Sequence, residues 1–363
     1  MKIQFVIPTL SSGGAERIVT NLANELSAKG HEVKIILLEN KKPFYQLNER
    51  VCIQTTDIKV NRDNRICALL HISRNILFRL PSYIKKQTKE FSPDAIISFL
   101  PYADIAVYLS GIHRKGYKIV FSERNDPTRR SFFMRHLLEI IYTKGHALVC
   151  QSERVAEFYH SVEKNKKFVI PNSVVKENIP DEVAERSPLR IVAVGRLDTQ
   201  KNFEMLIDSF CISYKRLPPK TSLTIYGEGP LRNVLQEKIK LKGMLESIYL
   251  PGVSKNLLNE IKDASLFIMS SNYEGFPNAL LEAMTIGLPV ISTNFWTGTA
   301  AELIDDENGR LVEVGNIEGL ANAIVQIMND DILRVKMRKE NRKLLDKYAS
   351  DRIIQKWCEI ILS

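Results

Sequence analysis

Two glutamates flank the predicted start of a helix in the segment 270–293, which reads SSNYEGFPNALLEAMTIGLPVIST. The apolar run at 266–269 predicts a buried strand before it, and Pro277 suits a first helical turn because its φ is already helical. The spacing of apolar residues continues the helix to Gly287, a residue typical of a left-handed C-cap. The segment therefore predicts a helix N-terminus at the carboxyl end of a buried strand.

Such a helix start can bind an anion, because the amides of 278–280 lack intrahelical partners and the helix dipole is positive there. Glu274 precedes the helix and Glu282 lies one turn beyond its start. Carboxylates repel phosphate but accept hydrogen bonds from hydroxyls, as on a sugar or a ribose. The alternative is an ordinary strand–loop–helix unit with two solvated glutamates.

A second loop carries cations that could reach the same anion. Arg196 and Lys201 follow the predicted strand 190–194, a good arrangement for gripping a diphosphate. The alternative is that both side chains are simply solvated basic groups. Glycine-containing loops at 227–230 and 251–253 also follow predicted strands, and we expect them at the same sheet edge.

The first half of the chain has its own strand-end loops. Gly13 and Gly14 open a helix after the predicted strand 3–7, which allows close backbone approach to a ligand or simply forms a tight turn. A polar loop at 123–127 follows the predicted strand 118–122, at the end where open α/β sheets bind ligands. A surface loop of ion pairs is the alternative there.

Strands alternate with helical patterns throughout, which predicts two parallel-sheet α/β units. At 363 residues the chain is longer than one core usually serves. We predict a first domain at 1–172, a linker at 173–188 and a second domain at 189–349. The amphipathic segment 350–363 is expected to be a final helix.

Composition narrows the class of protein. With 44% hydrophobic and 26% charged residues, the sequence is typical of a soluble globular protein. Its five cysteines are scattered without a CxxC pair, which argues against a disulfide framework or a zinc site and favours a reducing cytosol. No secretory signal or membrane-spanning apolar run is recognisable.

The charge is uneven, since residues 1–172 carry 27 Lys and Arg against 16 Asp and Glu, whereas the remainder is slightly acidic. Much of the excess lies in 61–90, where seven basic and two acidic residues interleave with apolar ones. This pattern predicts an interfacial helix on anionic lipid, or a normal helix with a basic solvated face. Nucleic acid is a poorer partner, because few aromatic residues are available for base stacking.

Four motifs in this order, over nearly the whole chain, resemble the family 4 retaining glycosyltransferases of the GT-B fold. They are SGGAER at 12–17, VGRL and KN within 194–202, YGEGPL at 226–231, and the pair Glu274 and Glu282. In length and basic character the chain is most similar to bacterial members that build lipid-linked oligosaccharides, O-antigen or capsule. The resemblance implies two Rossmann-like domains facing each other across a cleft, with helix 350–363 packing back on the first. In such an arrangement 1–172 would be the acceptor-side domain and 189–349 the nucleotide-sugar-binding domain.

The resemblance also implies a nucleotide-diphosphate sugar held by the second domain. Arg196 and Lys201 would neutralise the diphosphate, Glu274 would face the sugar hydroxyls, and these three form the predicted catalytic set. Glu282 would bind the ribose. The predicted donor-binding residues are Gly13, Gly14, Gly227, Gly252, Val253, Gly275, Phe276, Asn278, Ala279, Leu280 and Glu282.

The chemistry agrees with these roles. Breaking the anomeric C–O bond develops negative charge on the leaving diphosphate, which the cations and helix start stabilise in the transition state. We therefore expect no metal and no cofactor besides the donor. Retention in this family is thought to use one face of the sugar, with a donor phosphate oxygen taking the acceptor proton, so no protein nucleophile is needed.

One position departs from the family. Many members have a histidine in the first-domain loop where this chain has Arg124. We expect Arg124 to bind an acceptor phosphate instead, with Glu123 or Asp126 contacting hydroxyls.

The predicted function is transfer of a hexose or N-acetylhexosamine from a UDP-sugar to a polyprenyl-diphosphate-linked saccharide. The enzyme would lie on the inner face of the plasma membrane, held peripherally through 61–90. Two alternatives stay open: a nucleotide-sugar epimerase, which needs no acceptor, and a non-catalytic sugar-nucleotide-binding subunit of a polysaccharide assembly complex.

Overall fold

The computed structural model divides the chain into two compact units. Unit 1 contains Met1–Ser173 and Ser350–Ser363, and unit 2 contains Val174–Ala349. The structure describes residues 1–11, 13–56, 78–180 and 189–363. Most of the predicted basic segment 61–90 and half of the predicted linker 173–188 therefore lie outside the described residues.

Unit 1 is built on a seven-stranded sheet of order β3-β2-β1-β4-β5-β6-β7, in which every pairing is parallel. The strands are β1 Lys2–Ile7, β2 Glu32–Leu37, β3 Cys52–Thr55, β4 Ala95–Phe99, β5 Lys118–Ser122, β6 Ala147–Cys150 and β7 Lys167–Val169. The described helices are α1 Gly14–Ala28, α2 Leu80–Phe91, α3 Pro101–Leu109, α4 Phe132–Thr143, α5 Glu153–Phe158 and, from the end of the chain, α12 Ser350–Leu362.

The C-terminal helix α12 belongs to the core of unit 1. Its apolar face is buried among residues of β1, β2, β4 and α1, and the Trp357 ring stacks on Phe99 with centroids 5.5 Å apart. Burying a side chain of this size stabilises by about 1.5–3 kcal/mol. The amphipathic pattern predicted for 351–362 thus supplies one layer of unit 1.

Unit 2 has a six-stranded parallel sheet of order β10-β9-β8-β11-β12-β13. Its strands are β8 Arg190–Val194, β9 Ser222–Tyr226, β10 Ile248–Gly252, β11 Leu266–Met269, β12 Val290–Thr293 and β13 Gly309–Val312. Its described helices are α6 Phe203–Ser213, α7 Arg232–Leu241, α8 Leu257–Ile261, α9 Asn278–Thr285, α10 Ile317–Met328 and α11 Asp331–Lys347. Apolar clusters cover both faces of this sheet, which explains the continuous apolar runs of its central strands.

The strand order of unit 2 reverses between β8 and β11, so the chain leaves these neighbours towards opposite sides. In open parallel sheets, ligands bind in the crevice that such a reversal leaves at the carboxyl ends of the strands. The loops after β8 and β11 carry the cations and Glu274. Topology alone therefore directs attention to this edge.

In sequence, residues 297–302 suit a short helix, with Thr297, Gly298 and Thr299 ahead of Glu302, but the structure forms no helix there. Gly298 has φ of 72°, and the segment forms turns. The hydroxyls of Thr297 and Thr299 donate to the carbonyls of Glu274 and Gly275 at 3.0 and 3.2 Å, which supports the loop after β11. Within the described part of the chain, no helix combines the length and apolarity needed to cross a bilayer.

Candidate active site

The loops after β8 and β9 pack against each other through glycines. A Cβ on Gly227, whose φ is 143°, would lie 1.9 Å from the carbonyl oxygen of Gly195. The Gly195 amide donates to the carbonyl of Tyr226 at 3.0 Å, and the Gly227 amide donates to that of Gly252 at 2.8 Å. Only residues without a side chain allow three strand-end loops to approach this closely.

Asp198 shapes the cationic loop. Its Oδ1 accepts the amides of Gln200 and Lys201 at 3.0 and 3.2 Å, and its Oδ2 accepts the Arg196 Nε at 2.5 Å. The Arg196 side chain is 71% exposed, whereas that of Lys201 is 18% exposed. Arg196 is therefore available to an arriving anion, and Lys201 points into the sheet edge.

Lys201 meets Glu274 at the switch point, where Nζ lies 2.6 Å from Oε1. The same oxygen accepts the Ser271 hydroxyl at 2.7 Å, and Oε2 accepts the Gln200 amide at 3.1 Å. The Glu274 carboxylate is thus almost buried and held by three donors from two loops. The structure brings these two predicted residues together.

Gln200 and Ser271 were missed by the sequence analysis. Each lies beside a predicted site residue, Gln200 before Lys201 and Ser271 in the loop that leads to Glu274. The sequence feature that could have identified them is a polar residue shortly after a buried strand or within a cationic loop. Such residues are too common to indicate a site. Gln200 contacts Glu274 across 74 residues of chain and Ser271 lies three residues before it, so only the folded loops show that both orient one carboxylate.

The start of α9 departs from the prediction by one amide. Pro277 occupies the N-cap position, and the Asn278 amide donates to the carbonyl of Phe276 at 3.0 Å. The first bond of the helix ladder runs from Leu281 to Pro277. The amides of Ala279 and Leu280 precede that ladder, so the predicted cradle keeps two of its three amides. At the other end Gly287 has φ of 81°, as predicted for the C-cap.

The other residues of unit 2 that we predict to bind the sugar donor differ in how exposed their side chains are. Phe276 and the Leu280 side chain are buried in the core, so only their backbones could contact a ligand. Glu282 lies on α9 and is partly exposed.

A cavity of about 270 Å³ lies at the ends of β8, β9 and β10. It is lined by Val194, Gly195, Arg196, Tyr226, Gly227, Glu228, Val253, Ser254 and Leu257.

Removing either of the missed donors should loosen Glu274 without unfolding unit 2. Gln200→Ala and Ser271→Ala each delete one hydrogen bond to a charged group, so we expect about a 3- to 30-fold fall in turnover. Steady-state kinetics checks this, with Ser247→Ala as the control, because the Ser247 hydroxyl donates to that of Tyr214 and lies before β10, away from the strand-end loops. A rate unchanged in both variants would show that Glu274 needs no such support.

In unit 1, Glu123 lies in the loop after β5, at the centre of a buried hydrogen-bond network rather than at a binding surface. Arg130 donates to both carboxylate oxygens at 2.5 and 2.7 Å, and the Tyr159 hydroxyl and the Asn125 amide donate at 2.5 and 3.0 Å. Burial alone would raise the pKa of Glu123, but the Arg130 charge and these hydrogen bonds together lower it. Both carboxylate oxygens of Glu123 already accept hydrogen bonds within unit 1. The structure therefore contradicts the prediction that Glu123 contacts an acceptor hydroxyl.

Arg124 is buried as well, with 6% of its surface exposed. Its Nε donates to the Ser122 hydroxyl at 2.7 Å, and its guanidinium carbon lies 5.1 Å from the Trp357 ring centre. Nη1 donates to the Asn172 side chain at 3.2 Å. The structure therefore assigns Arg124 to anchoring α12, and not to the exposed phosphate site that we predicted.

Asp126 is 5% exposed, and its Oδ1 accepts both the amide and the hydroxyl of Thr128, at 2.9 and 2.7 Å. The predicted contact of Asp126 with an acceptor hydroxyl is therefore corrected as well. Gly13 and Gly14 lie at the start of α1, after the loop that follows β1. They hold the strand-end position that the sequence predicted for them.

Two family models match the chain. Residues 175–344 match "Glycosyl transferases group 1", and residues 12–177 match "Glycosyltransferase Family 4". The chain is a family 4-like glycosyltransferase. The predicted family, and with it the prediction of an enzyme, is confirmed.

Several similar proteins are named as glycosyltransferases, and two of the names give a lipid-linked glycan as acceptor. Two come from Campylobacter jejuni and are named as N-acetylgalactosaminyltransferases of diNAcBac-diphosphate-undecaprenol glycans. They are 27% and 29% identical to this glycosyltransferase, over 99% and 95% of the chain and 98% and 96% of their own lengths. The amylovoran biosynthesis glycosyltransferase AmsD of Erwinia amylovora is 26% identical, over 99% of both chains.

Solved structures confirm the fold. Anabaena HepE in complex with UDP has a TM-score of 0.80 at 18% identity, over 99% of both chains. A Staphylococcus aureus TarM variant, also solved with UDP, has a TM-score of 0.79 at 16% identity, over all of both chains. The predicted GT-B fold with two parallel-sheet α/β domains is therefore correct.

Proposed function

We propose that this glycosyltransferase moves a hexose or N-acetylhexosamine from a UDP-sugar to a polyprenyl-diphosphate-linked saccharide, with retention at the anomeric carbon. The observation that carries the proposal is the Lys201–Glu274 pair at the β8–β11 switch point, beside the exposed Arg196. A cation and a carboxylate in one crevice suit a ligand that has both a diphosphate and hydroxyls.

The donor would lie along the strand ends of unit 2. Its nucleoside would occupy the cavity beside Gly227 and Val253, and its diphosphate would lie between Arg196, Lys201 and the start of α9. Lys201 would then share its charge between Glu274 and the phosphates. As the anomeric C–O bond breaks, charge grows on the leaving phosphate, where fixed cations stabilise the transition state more than the ground state.

Glu274 has a different role in this proposal. Ser271 and Gln200 hold the carboxylate, so it can accept hydrogen bonds from donor-sugar hydroxyls without turning away. We assign the ribose hydroxyls to Glu282. The acceptor class is supported by the names of the Campylobacter relatives, and a lipid-linked acceptor would place the enzyme at the inner face of the membrane.

Transfer into lipid tests the proposal. Radiolabelled UDP-sugars are incubated with undecaprenyl-diphosphate-linked saccharides, and label is counted in the organic phase. We expect label there with at least one UDP-hexose or UDP-N-acetylhexosamine, and unchanged rates in EDTA because Arg196 and Lys201 supply the positive charge. Release of free sugar without lipid label would contradict the proposed acceptor, and loss of activity in EDTA would contradict the metal-independent chemistry.

A further inference from the structure

Helix α4 presents an apolar face to solvent. Phe132 is 79% exposed, Phe133 is 75% exposed and Ile140 is 41% exposed. Phe132, His136 and Ile140 follow one another at four-residue spacing, so they form one stripe along the helix. A soluble helix normally places such residues against its own core.

This exposure is built into the fold. Ser131 caps the helix by accepting the Met134 amide at 3.4 Å, and Asp126 closes the turn before it. Between them Arg130 reaches inward to the buried Glu123 and Tyr159. Phe132 and Phe133 therefore follow directly on a turn that is held by hydrogen bonds from both sides. Glu123 and Asp126, which the sequence predicts to contact the acceptor, hold this turn instead.

Basic residues lie at the two ends of α4 and on α2, which is linked to α4 through α3. Arg129 and Lys144 are exposed at the two ends of α4. The exposed side of α2 carries Lys85, Lys86 and Lys89 together with one carboxylate, Glu90, whose Oε1 lies 3.9 Å from the Lys86 Nζ. Helix α2 contacts α3, which in turn contacts α4. The carboxylate of α4 itself, Glu139, accepts the Ser161 amide at 2.8 Å.

We propose that this face of unit 1, the row of helices α2, α3 and α4, docks on an anionic lipid bilayer, with Phe132 and Phe133 inserted among the acyl chains. Exposed aromatic rings bordered by lysines and arginines match an interface that is apolar inside and negatively charged at its surface. A protein partner or a second copy would not require this combination of charge excess and apolar stripe. The inference rests on the proposed function only in that a lipid-linked acceptor makes bilayer contact useful.

Flotation with vesicles tests the proposal in the absence of donor and acceptor, so its result is independent of catalysis. The wild-type chain should float with phosphatidylglycerol-containing vesicles and much less with pure phosphatidylcholine. Phe132→Ser/Phe133→Ser should lower the partition coefficient at least tenfold. Lys85→Gln/Lys86→Gln/Lys89→Gln should reduce binding to anionic vesicles and flatten its salt dependence.

The matched control is Ile332→Ser/Val335→Ser, which removes two exposed apolar side chains, 85% and 60% exposed, from α11 of unit 2. It should bind vesicles like the wild type. Thermal unfolding of every variant checks that the fold is intact. Wild-type protein that does not float, a phenylalanine variant that floats normally, or one that changes only the oligomeric state in sedimentation would each overturn the proposal.

A second readout locates the insertion. Tryptophan placed by Phe132→Trp in a Trp296→Phe/Trp357→Phe background should shift its emission to the blue with anionic vesicles and be quenched by brominated acyl chains. Emission that stays unchanged would show that α4 remains in water. Failure of transfer to any lipid-linked saccharide would refute the proposed function while leaving these binding results standing.

Discussion

Lys201→Ala should lower kcat/KM for the sugar donor by about 100-fold, the scale expected when one donor of transition-state charge stabilisation is removed. Lys201 lies 2.6 Å from Glu274 and is the partly buried cation of the switch-point crevice. Losing it removes positive charge from the leaving diphosphate and leaves the Glu274 carboxylate to repel it. UDP binding should weaken as well, which calorimetric titration would measure.

Glu274→Ala should separate catalysis from nucleotide binding. Turnover is expected to fall at least tenfold, because the sugar loses its hydrogen-bond acceptor. The UDP affinity should stay level or rise, since Lys201 is then released from its partner and a negative charge has left the crevice. Weaker UDP binding in this variant would contradict the separate roles of the two residues.

The control for both variants is Lys238→Ala. Lys238 pairs with Asp208 at 2.7 Å with both side chains 22% exposed, so it resembles the Lys201 pair in exposure but lies on α7 and α6. Its removal should change neither rate nor UDP affinity. Normal activity in both Lys201→Ala and Glu274→Ala would refute the site.

Arg130→Ala should destabilise unit 1 by about 3–5 kcal/mol, the usual cost of leaving a buried charge without its partner. Arg130 supplies two of the donors to Glu123, whose side chain is fully buried. Glu123→Leu/Arg130→Met, which removes both charges, should recover part of the loss. Arg129→Ala, at the exposed neighbouring position, is the control and should have little effect.

The loss of stability in Arg130→Ala should depend on pH in a defined direction. In the wild type the pKa of Glu123 is lowered, so its contribution is present above its unfolded pKa near 4.3 and is lost as the pH falls below that value. Without Arg130, burial and the nearby Asp104 should raise that pKa instead, and the hydrogen bonds donated by Tyr142 and Tyr159 would offset only part of the rise. The variant then loses stability as the pH rises, so its deficit should widen between about pH 4 and pH 7.

Urea unfolding can follow unit 1 alone. The chain has two tryptophans, and in a Trp296→Phe background the fluorescence comes from Trp357 in the core of unit 1. A deficit below 1 kcal/mol, or one that narrows with rising pH, would contradict the assigned role of Arg130. Retained unit-2 stability would confirm that the damage is local.

The fold was largely predictable, because buried parallel strands leave apolar runs that need no tertiary information. Four strands, including Ala95–Phe99 and Leu266–Met269, have the predicted bounds. The errors lie where local and tertiary signals conflict. Residues 297–302 contain a plausible helix start, but Gly298 adopts a left-handed conformation and the threonines bond to the loop of Glu274.

The sequence predicts which candidate residues share a sheet edge in unit 2, but it does not predict that Glu123 and Arg124 are buried in unit 1, and the reason is physical. Arg196, Lys201 and Glu274 follow strands whose ends must meet at a topological switch, so strand order alone brings them together. Glu123 and Arg124 also follow a strand. Whether such residues face ligand or core depends on partners such as Arg130, Tyr159 and Trp357, which local sequence does not specify.

An NMR time course with a UDP-sugar tests the central claim most directly. With a lipid-linked saccharide present, this glycosyltransferase should release UDP in step with a new glycoside that keeps the donor's anomeric configuration, and Lys201→Ala should slow both together. Without acceptor, the donor should persist unchanged. An inverted glycoside would contradict retention, and an epimerised UDP-sugar formed without acceptor would contradict the proposed transfer.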